Sequence, residues 1–212
     1  MTNTAADFPD VARQAVIDGM RERAATRGFW TPKLKLADPA TLQVSMPHRV
    51  ALLPLNRMQQ EARRLAMPDK PAPRPLYELA SLLGWRFLII NDHQEPIAAA
   101  HAFQTRTGAY RLGELNEGLY IERTLKAFQT PLVTEAISRR IDGSAFEELL
   151  LLIAPAMCFS GLWVRFQQQD QDFVLPLDET YLPPLVRADP GTLIWTLCEA
   201  STKIPADGHS AG

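Results

Sequence analysis

From Val11 to Met20 apolar side chains recur at three- and four-residue intervals, with Arg13 and Asp18 between them and Arg21 and Glu22 following. That period predicts an amphipathic helix over 8–27, stopped at Gly28. Asp7 and Asp10 place negative charge at its start, where the helix dipole favours it. Beyond it the pattern loosens around Pro32 and Pro39. Residues 41–46 (TLQVSM) alternate and read as a short strand. Residues 50–55 (VALLPL) read as a second one, with Pro54 confining it to an edge or a strand end. Asn56 followed by Gln59 is a capping-box pattern and predicts a helix over 57–67.

Pro68, Pro71, Pro73 and Pro75 then interrupt every periodic pattern. Proline lacks an amide hydrogen and fixes φ, so this segment is expected to be an extended strap. PLYELASLLG reads as a short helix ended by Gly84. Residues 85–91 and 96–103 are apolar runs joined by DHQE, which predicts a hairpin. With Gly108, Gly113 and Gly118, residues 104–118 read as a loop. Helical spacing returns over 119–128. Thr130–Pro131 is a cap followed by proline at the first helical position, and that helix should run to Gly143. Ser144 with Glu147 is another capping box, predicting a helix over 145–154. Residues 162–167 and 173–177 flank QQDQD as a second hairpin, and 192–199 is the last regular element.

This order of elements predicts an α+β fold: an antiparallel sheet built from two hairpins (about 85–103 and 162–177), covered by helices, with an N-terminal helical arm. The expected organisation is a helical arm or subdomain over 1–67, a Pro-rich strap over 68–75, a main α+β domain over 76–203 and a flexible tail over 204–212. The uncharged stretch 149–164 is the expected centre of the core.

Composition narrows the class. With 212 residues, 46% hydrophobic and 22% charged, the chain has enough apolar surface for a core without metal or disulfide support. Its two cysteines, Cys158 and Cys198, lie in apolar runs and read as buried, reduced thiols of a cytoplasmic protein. The N-terminus has no apolar segment of the secretory kind. The longest uncharged run also falls short of the roughly 20 apolar residues of a membrane-spanning helix, so neither secretion nor a membrane partner is expected. Charge is uneven along the chain. Residues 1–75 hold 12 Lys+Arg against 7 Asp+Glu, and residues 76–212 hold 10 against 17. Nucleic-acid motifs and phosphate-cradling glycine patterns are absent, so no nucleic-acid partner and no cofactor are expected.

Candidate chemistry is thin. Glu114, Glu117 and Glu122 lie within nine residues, and His101 ends a predicted strand. Carboxylates and an imidazole are the groups of acid–base catalysis or metal binding, although this spacing matches no ligand motif and no metal is expected. Cys158 and Ser160 are nucleophile types without a diagnostic base nearby in sequence, and His209 lies in the tail. Phe29–Trp30, two adjacent aromatics outside any regular pattern, are the residues expected to dock onto something. The reading is therefore a non-enzymatic interaction or accessory protein, binding a protein partner or itself through Phe29 and Trp30. The alternative is a small-molecule enzyme or ligand-binding protein using His101 and the Glu114–Glu122 loop.

Overall fold

A computed structural model of the chain describes residues 8–69, 71–138 and 145–205. It is an α+β fold of seven helices and seven strands among the described residues. The chain divides into two compact units that interleave in sequence: residues 1–50 with 83–126, and residues 51–82 with 127–212. The units thus differ from a cut at the Pro-rich strap, and they even out the charge. The first holds 12 Lys+Arg against 10 Asp+Glu and the second 10 against 14.

In the first unit, α1 (Phe8–Thr26) and α2 (Pro32–Leu36) precede β1 (Gln43–Leu52), whose last two residues fall in the second unit. β2 (Ser81–Ile90, of this unit from Leu83 on), β3 (Pro96–Gln104), β4 (Tyr110–Asn116) and α5 (Leu119–Phe128, of this unit up to Lys126) follow. The strands lie in the order β4-β3-β2-β1, with β2–β3 and β3–β4 antiparallel. The alternation along β3 assigns its two faces. Ala98, Ala100 and Ala102 pack with Phe87 and Ile89 against Ala12, Val16 and Met20 of α1, while Ala99 packs with Leu88 against Ile121 of α5. The small residues let α1 lie close. A Cβ added to Gly19 would stand 2.5 Å from the Leu112 Cβ on β4, and Arg23 donates to the Gly113 carbonyl at 2.8 Å.

In the second unit, β5 (Phe146–Ala154), β6 (Phe159–Phe166) and β7 (Phe173–Pro176) form an antiparallel meander, with β5 between the end of β1 and β6. Its core gathers Leu150, Leu152 and Trp163 of the sheet with Met58 and Leu65 of α3 (Leu55–Leu65). Leu76 and Leu79 of α4 (Leu76–Leu79), and Leu193, Leu197 and Cys198 of α7 (Pro190–Thr202), complete it. α6 (Pro131–Ser138) buries Val133 and Ala136.

Several elements differ from the sequence expectation. Residues 146–154 form a strand rather than a helix, paired with β6 from Phe146–Phe166 to Ala154–Phe159. Leu150, Leu151 and Leu152 are all buried. A strand covered on both faces has no alternation, so an apolar run alone does not distinguish it from a buried helix. The Ser144 cap lies outside the described residues, as do Asp7, Gly143, His209 and the tail from 206. The predicted loop 104–118 contains β4, and its Gly113 is a packing requirement: a Cβ there would stand 1.9 Å from the Phe103 ring. Gly84 ends no helix. It lies inside β2 at φ 155°, where a Cβ would stand 2.3 Å from the Ala102 carbonyl oxygen. The two short strands expected around Pro47 are one strand, with Met46 at a positive φ of 50°. α3 begins after Pro54, and Gln59 closes no capping box. It donates to the Ser201 and Ile204 carbonyls at the end of α7, at 3.2 and 2.9 Å.

The strap expected over 68–75 has a turn at 68–69 and no regular secondary structure over 71–75, and it is tied down by Glu61 of α3. That carboxylate is 0% exposed. It accepts from the Arg74 amide at 2.9 Å, from Arg74 Nε at 2.7 Å and from Arg64 Nε at 3.0 Å, while Arg64 also donates to the Ala72 carbonyl. Burial raises its pKa, but the hydrogen bonds from Arg64 and Arg74 and the Arg74 charge outweigh this and hold it down at about 2.

Candidate interaction site

The expected interaction pair is divided by the fold of the first unit. Phe29 is only 7% exposed and belongs to the core, packed with Leu34 and the β3 alanines, so it has no surface to offer a partner. Trp30, the next residue, is 69% exposed. It stands just before α2, whose sequence PKLKL buries Leu34 and leaves Leu36 90% exposed at the other end.

A five-residue helix has no independent stability, so α2 needs tertiary support. Glu117 supplies it. Its carboxylate accepts from the Leu34 amide at 2.9 Å and the Lys33 amide at 3.2 Å, two of the donors that a helix start leaves unsatisfied. Burial works against its ionisation. Hydrogen bonds from the Leu34 and Lys33 amides, together with the Lys33 charge, nevertheless hold its pKa below the ordinary value. Glu122 pairs with the Lys33 ammonium at 3.8 Å. Two of the three sequence-selected glutamates thus converge on α2 and not on His101.

Beside α2 lies a groove of about 760 Å³, lined by Lys33, Leu36, Ala37, Asp38, Thr41, the β2–β3 turn from Asn91 to Ile97 except Gln94, and Glu122. Its walls are held in place. Asn91 Oδ1 accepts from the Glu95 amide at 2.8 Å and Gln94 adopts a left-handed φ of 63°, which closes the turn. Asp38 accepts from the Ala40 amide at 2.9 Å. Of its lining, sequence reasoning singles out Glu122 alone. Its only other local signal was Pro32 at a helix start in a segment that reads as loop.

The third glutamate belongs to a different assembly. Glu114, His101, Arg86 and His48 come one each from β4, β3, β2 and β1, with Arg86 directly paired with His101 across β2 and β3. His48 is 1% exposed, and its Nδ1 donates to the Met46 carbonyl at 2.8 Å. Burial drives its pKa down to about 3; the Met46 hydrogen bond opposes this, and the charges of Arg86 and His101 add to it. His101 is lowered by burial and by Arg86, against an opposing pull from Glu114. Its Nε2 is buried without a hydrogen-bond partner, and its ring lies 4.2 Å from that of Phe103. Imidazoles held neutral by burial and by the Arg86 charge suit packing more than proton exchange with solvent.

The nucleophile types lie in the second unit. Cys158 is exposed rather than buried, because it occupies the left-handed corner of the β5–β6 turn at φ 49°. Ser160 donates to Asp178 at 2.9 Å. Cys198 is buried as expected, and burial pushes its thiol up to about 12, which leaves it protonated and inert. Among the described residues no cluster of three or more His, Cys, Asp or Glu side chains is arranged to hold a metal ion, and no helix is long and apolar enough to cross a membrane. Comparison with protein-family models, with curated proteins and with solved structures finds no match to this chain.

Proposed function

We propose that the chain is a cytoplasmic, non-enzymatic interaction protein that binds a protein partner through the α2 surface of its first unit. The observation that supports this most is the exposure of Trp30 and Leu36 at the two ends of a helix that is otherwise anchored by Phe29, Leu34 and Glu117. Large apolar side chains at the surface, tryptophan above all, serve as anchors at interfaces. The alternative chemistry has less support, because Glu117 is committed to capping α2 and Glu122 stands beside Lys33 rather than His101.

The test replaces Trp30 and Leu36 together by serine in the full chain. Since both side chains are exposed, the melting temperature should stay within about 2 °C of wild type. A partner co-purifying with the wild type should be lost from the variant. Equal retention of that partner by the folded variant refutes the reading. Phe29 is unsuitable for this test, because its removal opens a core cavity.

A further inference from the structure

We infer that the groove beside α2 receives a basic, extended segment of a partner protein, its cations meeting the groove's carboxylates while an apolar side chain packs on Leu36. This rests on the protein-binding reading and adds the chemical character of the partner. Four carboxylates line the groove, Asp38, Asp92, Glu95 and Glu122, against one lysine, Lys33, which pairs with Glu122 at 3.8 Å, and one imidazole, His93, which stands 3.8 Å from Asp92. The unit as a whole carries slightly more basic than acidic residues, so the negative charge is a local property of this groove.

The charges suit a polymer more than a small ion. Asp92, Glu122 and Lys33 are each more than half exposed, so any one pair formed with them is worth little in water. Several cations spaced along one segment add their attractions and raise the association rate. Apolar surface completes the match: Leu36 stands out at one side, with Ala37, Pro96 and Ile97 among the lining. Both walls are closed by their own hydrogen bonds, at Asn91–Glu95 and at Asp38–Ala40, so a segment docks without ordering them first. Four carboxylates oppose a phosphate backbone, which sets nucleic acid aside as the occupant.

The experiment measures fluorescence anisotropy of labelled synthetic peptides on the full chain. One peptide alternates lysine and leucine, and the controls carry glutamine or glutamate in place of lysine. The proteins are wild type, an Asp92→Lys/Glu122→Lys variant and the Trp30→Ser/Leu36→Ser variant. Where charge reversal lowers the melting temperature, Asp92→Asn/Glu122→Gln replaces it. Wild type should bind the lysine peptide most tightly, less so in high salt, and the charge variant should bind it about tenfold more weakly. Equal binding of the lysine and glutamine peptides, or of the lysine peptide by the charge variant, overturns the basic-segment inference. The protein-binding reading then survives if the Trp30/Leu36 variant still loses affinity, and falls with it if neither variant changes any affinity. A wild-type dimer that charge reversal converts to monomer places a second copy in the groove and also overturns the inference.

Discussion

Acid should destabilise this protein well before its carboxylates are titrated, and His48 is the main reason. Its imidazole is 1% exposed, donates from Nδ1 to the Met46 carbonyl, and shares its sheet face with Arg86 and His101. Its pKa falls from 6.5 in the unfolded chain to about 3 in the folded one. The sign follows from which state takes the proton. Below pH 6.5 the unfolded chain binds a proton on His48 that the folded chain refuses, so stability falls with pH until about pH 3. Each pH unit within that window costs about 1.4 kcal/mol, so at about pH 5 the loss is about 2 kcal/mol. For a chain of this size that lowers the melting temperature by about 4–8 °C. His101, also lowered, adds in the same direction. Glu61 has its own window between 4.5 and about 2, and burial raises Asp172, so comparison with a His48 variant is what separates the histidine from the carboxylates. The assay is a series of denaturant or thermal melts from neutral pH down to about pH 5, on wild type and on His48→Asn, whose side-chain amide keeps a donor for the Met46 carbonyl. The variant should show a flatter pH dependence. Stability that does not change between neutral pH and pH 5 in wild type refutes the reasoning, as does an identical slope in the variant.

Two further outcomes follow from the second unit. Glu61→Ala should cost about 3 kcal/mol, the worth of a pKa held from 4.5 down to about 2 in a carboxylate with no exposure, and should open the 71–75 strap to proteolysis; a wild-type cleavage pattern in the variant counts against its tethering role. A thiol reagent should modify Cys158 in the native protein and reach Cys198 only after unfolding, and rapid native labelling of Cys198 contradicts its burial.

What the sequence determined by itself was mostly local and mostly in the backbone. The apolar period of α1 and its stop at Gly28, the Thr130–Pro131 start of α6 and the β2–β3 hairpin all depend on spacing, capping and the φ preferences of glycine and proline, which act within a few residues. The tertiary structure decided whatever depended on a distant partner. Residues 146–154 satisfied a local helix pattern, yet pairing with β6 and burial of consecutive leucines made them a strand. Gly113 resembled a loop residue until the Phe103 ring filled the space where its Cβ would be. The candidate site was hidden for the same reason. Phe29 and Trp30 are equivalent in sequence, and only the packing of the first unit sends one into the core and the other into solvent. Glu117 resembled a solvated loop acid, but it caps a helix 83 residues earlier in the chain. A helix of five residues needs tertiary support, here the burial of Leu34 and a carboxylate on its first amides, and no local window contains either.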